Sequence, residues 1–115
     1  MKATVEYADF DKLDLRVGKV VAAEAPSWSR KLIQFTVDFG EEIGTKTILS
    51  GIQAWYSPEE FVGKVFPFIV NLAERKMGEG VSQGMMIMAD GKVDGEDHPI
   101  VFPLPESITP GTVIR

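Results

Sequence analysis

Residues 32–39 alternate without interruption: Ile33, Phe35, Val37 and Phe39 are large and apolar, while Gln34, Thr36 and Asp38 between them are polar. A period of two puts successive side chains on opposite faces of extended backbone, so this segment reads as a strand with one face in a core. A helix would scatter the same four side chains around its circumference. The chain is therefore expected to be organised around a sheet, and its 115 residues are enough for one core and too few for two.

The flanking segments extend that sheet. Residues 15–23 are rich in valine, and Gly18 among them predicts a long first strand bent near the glycine. The polar, glycine-bracketed stretch 40–44 predicts a turn that returns the chain as a third strand over 45–50. Ser57-Pro58-Glu59-Glu60 supplies an N-cap serine, a proline at the first helical position and a glutamate placed to close a capping box. A short helix starts there, and Gly63 limits it. A fourth strand follows over 65–70, where Pro67 predicts one unpaired edge. A basic loop over 74–80 then leads to a fifth strand over 84–89. Asp90-Gly91 and Asp94-Gly95 read as turns, with short β-pieces at 100–102 and 112–114. Three strands, a short helix and two more strands is the order of the five-stranded Greek-key barrel, the OB-fold, that holds oligonucleotides and oligosaccharides. The expectation is an all-β chain: a single domain over 1–115, its barrel within about 10–90, with an added C-terminal β-segment over about 91–115.

Composition narrows function more than fold. There are no cysteines and a single histidine, His98, which removes disulfides, thiolate zinc sites and nearly all imidazole ligation. No metal or cofactor is expected. The longest apolar run, 65–70, falls far short of the roughly 20 residues that span a bilayer. The first residues lack the apolar core of a secretory signal, so the expected address is cytoplasmic. A net charge of −5 opposes phosphate-rich ligands. Part of that excess is local, because Asp90, Asp94, Glu96 and Asp97 crowd around Lys92.

Gly80-Val81-Ser82-Gln83-Gly84 fits the G-x-S-x-G pattern of a nucleophile elbow, and His98 follows acidic residues in hydrolase order. An elbow needs a strand-to-helix turn on a parallel sheet, whereas residues 85–88 read as a strand, so hydrolase chemistry is set aside. Gly44-Thr45-Lys46-Thr47 lacks phosphate-loop spacing, and Gly78, Gly80 and Gly84 do not space as a dinucleotide fingerprint. The acids of 90–97 lack the calcium-loop pattern. Arg75 and Lys76 stand apart from these: they are adjacent cations in a glycine-containing loop between the last two barrel strands, where such barrels meet ligands.

Several blocks recur together in one order: Asp11-Lys12-Leu13-Asp14-Leu15-Arg16-Val17-Gly18-Lys19-Val20, Lys31-Leu32, Ile48-Leu49-Ser50-Gly51-Ile52, Tyr56-Ser57-Pro58-Glu59-Glu60, Asn71-Leu72-Ala73-Glu74-Arg75-Lys76-Met77, and Ser82-Gln83-Gly84-Met85. On these blocks, which cover nearly the whole chain, the sequence resembles the tRNA-binding domain family. That family includes the C-terminal domain of bacterial methionyl-tRNA synthetases, its stand-alone relatives, and related endothelial cytokine-precursor and secretion-chaperone domains. The resemblance implies an OB-fold barrel with an added C-terminal β-segment, paired into a homodimer, that binds tRNA by shape and backbone and catalyses nothing. It is compatible with action alone, in trans with an aminoacyl-tRNA synthetase, or as a module derived from methionyl-tRNA synthetase. By the same carry-over, Arg75 and Lys76 meet phosphates, Asn71, Ser82 and the Ser50-Gly51 backbone donate hydrogen bonds, and Met85 supports the site. Arg30 and Lys31, between the first two strands, extend the basic path. Two places depart from the family pattern. Ala25-Pro26-Ser27-Trp28-Ser29-Arg30 stands where relatives often carry His-Pro followed by acidic and small residues, and Glu74 stands where proline is common. Trp28 either stacks on an exposed base or covers one end of the barrel.

A second function is compatible with the acidic balance. A chaperone-like binder of unfolded peptides would use exposed apolar residues such as Met77, Trp55 or Trp28. The Arg-Lys-Met and Ser-Gln-Gly-Met blocks favour the tRNA reading, because they match the RNA-binding branch of the family.

Overall fold

The computed structural model describes residues 1–115 and turns the alternating run into β2 (Ile33–Asp38), with Ile33, Phe35 and Val37 wholly buried and the residues between them half-buried. β1 (Leu15–Glu24) is long enough to serve two partners: its second half pairs antiparallel with β2 and its first half with β4 (Val65–Ile69). β3 (Thr45–Ser50) pairs with the outer side of β2 in unbroken register, from Ile33 opposite Ser50 to Asp38 opposite Thr45. β1 does break register, but between Val20 and Ala22 rather than at Gly18. Gly18 answers a packing demand instead. A Cβ there would lie 2.5 Å from Cε1 of Phe39, 2.6 Å from Cγ1 of Val37 and 2.8 Å from Cδ1 of Phe68.

The expected turn over 40–44 is a four-residue helix, Gly40–Ile43, following the short helix Tyr7–Phe10 in chain order; these are α2 and α1. Glycines in left-handed backbone at both ends, Gly40 at φ +85° and Gly44 at φ +81°, let the chain enter and leave it in so few residues. The Asp38 carboxylate accepts the Gly40 N–H at 2.8 Å. Phe39, just past the end of β2, is still buried in the core. The serine-proline start is a single 3₁₀ turn, Pro58–Glu60, its capping box closed by the Ser57 N–H donating to Glu60 at 2.7 Å. Just beyond it Phe61 packs on Phe35, Tyr56 and Phe66 at ring separations of 4.9, 5.5 and 5.4 Å, sealing one end of the core.

Downstream of β4 the chain departs further from expectation. The basic loop is a small hairpin, β5 (Arg75–Met77) with β6 (Gly80–Ser82), turned at Gly78 with φ +63°. The expected fifth strand divides: β7 (Met85–Met86) pairs with β4, while β8 (Met88–Val93) leaves to pair with β9 (Glu96–Val101). Asp90-Gly91 is mid-strand in β8, and the turn is made by Asp94 at φ +52° and Gly95 at φ +79° alone. β4 is not an edge, because β1 flanks one side and β7 the other. The nitrogen that Pro67 cannot use as a donor faces the side where β7 gives out, and its carbonyl there accepts from Ile87 at 3.0 Å.

The sheet runs β3-β2-β1-β4-β7, and β10 (Val113–Ile114) joins the start of β1. The barrel then nearly closes between β3 and the chain after β6, with side chains standing in for strand partners. Gln83 N–H donates to the Thr47 carbonyl at 2.8 Å, Thr47 N–H to Gln83 Oε1 at 2.9 Å, and Leu49 N–H to Ser82 Oγ at 3.0 Å. The result is a mostly β, OB-fold-like barrel with five of the seven phenylalanines in its core. No helix is long and apolar enough to cross a membrane. Residues 104–114 wrap the outside, held by backbone bonds of Leu104 to Val65 and of Gly111 and Thr112 to Val17, by the pairing of β10 with β1, and at Gly111 by Arg16. Its guanidinium donates to Asp14 at 2.6 Å, to Glu42 at 3.2 Å and to the Gly111 carbonyl at 3.1 Å. The Asp14 hydrogen bond, partly opposed by burial, raises the Arg16 pKa further above its ordinary value, so this cation stays charged.

Candidate nucleic-acid interface

The hairpin β5–β6 stands over the open side of the β3 seam and walls a cleft of about 450 Å³. Ser50 and Gly51 at the end of β3 form one side, Leu72 and Ala73 another, and Arg75, Met77 and Met85 lean over it. Five residues expected at an RNA site, Ser50, Gly51, Arg75, Ser82 and Met85, thus line one space although they come from four separate segments. The hairpin owes its position to Trp28. A Cβ on Gly78 would lie 2.5 Å from the indole Cζ3, and one on Gly80 would lie 3.1 Å from its Cη2 and Cζ2. Glycine at both positions lets the strand backbone rest on the ring, so Trp28 serves as a prop beneath the hairpin and is half-buried there.

A second cleft, about 350 Å³, lies between the loop after β1 and the loop after β3, lined by Arg30, Lys31, Leu32, Gly51, Ala54 and Trp55. Gly51 borders both clefts, so they meet at that residue. The two loops are laced together. Gln53 Nε2 donates to the carbonyls of Leu32 at 2.7 Å and Ser29 at 3.2 Å, Gln53 N–H donates to the Lys31 carbonyl at 3.1 Å, and Ser29 Oγ accepts from the N–H groups of Lys31 and Leu32. The backbone bearing Arg30 and Lys31 is therefore fixed while their charged ends stay in water.

Not every expected residue faces the clefts. Side chains alternate along β5, so Arg75 and Met77 share the cleft face and Lys76, opposite Val81, lies on the other side of the hairpin. Ser82 is only 4% exposed; its Oγ accepts from Leu49 and donates to the Gly84 carbonyl at 3.0 Å. Both of its roles are internal, and it closes the barrel. Asn71 is likewise committed: Oδ1 accepts from Asp14 N–H at 2.8 Å and Nδ2 donates to the Lys12 carbonyl at 2.7 Å, tying the N-terminal segment to the end of β4. Trp55, Leu49 and Leu72 line the clefts and carry no local sequence signal beyond an aromatic or apolar side chain, and Gln53, which ties the two loops, carries none.

Electrostatically the clefts run against the whole. Ion pairs form at Lys12–Asp9, Arg16–Asp14, Arg16–Glu42 and Lys92–Asp97. Arg30, Lys31, Arg75 and Lys76 are exposed and belong to none of them. Glu74, the acid beside Arg75, accepts instead from Gln83 Nε2 at 3.1 Å. The clefts therefore offer free cations, polar backbone and apolar walls, a surface for an anionic ligand with flat or apolar parts.

Comparison with known proteins agrees with that chemistry. Residues 15–113 match the family model described as "Putative tRNA binding domain". The chain is 44% identical over 114 residues, 97% of its length, to a methionine–tRNA ligase from Cupriavidus metallidurans, of which it spans 16%. It is 47% identical over 89 residues, 77% of its length, to the corresponding ligase from Ralstonia nicotianae, of which it spans 13%. Among solved structures, it is similar to a MetRS related protein from Pyrococcus horikoshii, with TM-score 0.90, 34% identity, and coverage of 99% of this chain and 100% of that one. It is also similar to the chaperone CsaA from Bacillus anthracis, with TM-score 0.82, 26% identity, and coverage of 98% and 100%.

Proposed function

Since this chain belongs to the tRNA-binding domain family, we propose that it binds folded tRNA in the two clefts that meet at Gly51, reading shape and backbone and carrying out no chemistry of its own. One observation carries the proposal: in a chain of net charge −5, unpaired cations border both joined clefts, Arg30 and Lys31 one and Arg75 the other. Folded RNA presents phosphates and 2′-hydroxyls over a contoured surface, which a rigid barrel bearing a few cations and backbone donors can match. Arg75, Arg30 and Lys31 contact phosphates, and Lys76 reaches one from the outer face of the hairpin. The Ser50-Gly51 backbone supplies donors and Met85 packs against the ligand. Ser82 and Asn71 act by holding β6 and the N-terminal segment in place.

The chain works beside a methionyl-tRNA synthetase, or as such an enzyme's appended module, in the cytoplasm where tRNA is charged. The sequence relationship to methionine–tRNA ligases many times its length supports that placement. It works as a homodimer. α1 buries none of its residues and leaves Tyr7 and Phe10 exposed, and Phe102 in the C-terminal extension is the only other phenylalanine outside the core. A gel shift with total tRNA at several salt concentrations tests the binding. Affinity is expected to fall steeply with salt and to weaken in the Arg75→Ala/Lys76→Ala double variant; equal binding by that variant overturns the site. Light scattering tests the dimer, which is expected at twice the 12.7 kDa chain mass.

The likeness to CsaA and the apolar cleft walls favour one competing reading, capture of unfolded peptides. Peptide binding that persists at high salt, with no tRNA binding at any salt, would select it.

A further inference from the structure

Trp55 is an odd residue to find on a small acidic domain's surface: it is 42% exposed, and it lies in the second cleft with Arg30 and Lys31. Its backbone and that of its neighbours are held by hydrogen bonds. Trp55 N–H donates to the Ile52 carbonyl at 3.0 Å, Tyr56 N–H donates to the same carbonyl at 3.1 Å, and Gln53 ties the preceding turn to the loop bearing the two cations. His98 of the β8–β9 hairpin meets the indole in a T-shaped contact at 6.4 Å between ring centroids and meets Tyr56 at 5.6 Å. The indole is thus carried on a braced turn, with one part against His98 and another open to the cleft.

We propose that Trp55 is a stacking platform for an unpaired nucleobase of the bound RNA, with Arg30 and Lys31 taking the phosphates that flank that base. The inference rests on the tRNA-binding reading and adds what the second cleft recognises. The reasoning is geometric and electrostatic. A nucleotide is a flat ring with an anion attached, and this cleft pairs a flat ring with two cations that have no carboxylate partner. Bases inside a duplex already have both faces covered by their neighbours, so only a looped, bulged or terminal base can be laid on an indole. An apolar peptide would find the aromatic surface but would leave both cations unanswered. Continuity through Gly51 then lets the Arg75 cleft hold the structured part of an RNA while the Trp55 cleft takes an unpaired nucleotide next to it. Trp28 lines neither cleft, and its half-buried ring carries the Gly78 and Gly80 backbone instead.

The test uses the full chain and three probes: total tRNA, a single-stranded RNA tetranucleotide and a long RNA duplex, in which end positions are a small minority of the binding positions. Trp55→Ala is expected to weaken tetranucleotide binding on the order of 5- to 150-fold, Trp55→Phe to retain most of it, and duplex binding to be unchanged in both. In the unmutated protein, saturating tRNA is expected to quench tryptophan emission. That quench should vanish in Trp55→Phe, where Trp28 alone emits. Saturation with tRNA that leaves the unmutated emission unchanged overturns the proposal even if the alanine variant misfolds, and so does a folded Trp55→Ala that binds tetranucleotide and tRNA at parental strength. Quenching by an apolar peptide but not by the tetranucleotide overturns it as well. If tRNA binds and is lost in Arg75→Ala while Trp55 shows no response, only this inference fails. If no tRNA binds at low salt, the tRNA-binding reading fails and takes this one with it.

Discussion

Arg75 and Lys76 are consecutive in the chain but lie on opposite faces of β5, and the difference is measurable. Arg75 lines the cleft, so Arg75→Ala should remove a charge-assisted phosphate contact and weaken tRNA binding by about 1.5 kcal/mol, roughly tenfold. Lys76→Ala should cost about a third of that, as a solvated charge near an anion does. Fluorescence anisotropy with labelled tRNA on the two single variants checks the ratio. Equal losses would mean that the hairpin flexes to present both. Two glycines make a parallel contrast in stability. Gly18→Ala drives a methyl to 2.5 Å from the buried Phe39 ring and should cost about 1–3 kcal/mol, read from the denaturant midpoint. At Gly51 an added Cβ meets nothing within 4 Å and the backbone is not left-handed. Gly51→Leu should therefore fold with an unchanged midpoint while its side chain projects where the clefts meet and reduces tRNA affinity. A Gly51→Leu protein that binds like the parent would mean the ligand does not pass that junction.

The seam between β3 and the residues after β6 is the element on which the hairpin, and with it Arg75, depends. Ser82→Ala leaves the Leu49 N–H and the Gly84 carbonyl without their partner inside the protein, a loss of about 1–3 kcal/mol. Hydrogen exchange should show the Leu49 and Thr47 amides of β3 exchanging faster, with β1 and β2 amides protected as before. Faster exchange spread evenly through β1 to β4 would mean the seam is not a local unit. A serine acting as a strand partner could not be read from sequence, since nothing in Gly80-Val81-Ser82-Gln83-Gly84 distinguishes a barrel clasp from a turn. By contrast β2 was legible because each inward position is large and apolar, and the 3₁₀ turn because Ser57, Pro58 and Glu60 each fill a position with one physical use. Met85-Met86-Ile87-Met88 is uniformly apolar, so no period marks Met86 as the place where the chain leaves the barrel. The three-residue strands of the β5–β6 hairpin are likewise too short and too charged to announce themselves. That gap hid the opposite facing of Arg75 and Lys76, because alternation has meaning only once a strand is known. Arg75 is legible from its place in a basic loop between the last barrel strands, Ser50, Gly51 and Met85 only through the family resemblance, and Trp55, which no quoted block contains, reads only as an exposed apolar residue.

At the scale of the molecule, a net charge of −5 and an anionic ligand can coexist only if the contact is local and repeated. Each chain offers four free cations about the clefts, Arg30, Lys31, Arg75 and Lys76. Counterion release then predicts a slope of log affinity against log salt of roughly −3 to −4 for one engaged chain. If two chains grip one tRNA the slope should approach twice that, and the second contact, being intramolecular, should raise affinity on the order of 10²- to 10⁴-fold. The exposed Tyr7 and Phe10 of α1 give the means to tell these apart, since α1 makes no contribution to the barrel core. In Tyr7→Glu/Phe10→Glu the barrel should unfold at the parental denaturant concentration, the particle should halve in mass by light scattering, and the salt slope should halve with it. Half the mass with an unchanged slope would place every phosphate contact within one chain and remove avidity from the account. A slope near zero in the parent would remove the cations themselves, and with them the reason an acidic barrel should hold RNA at all.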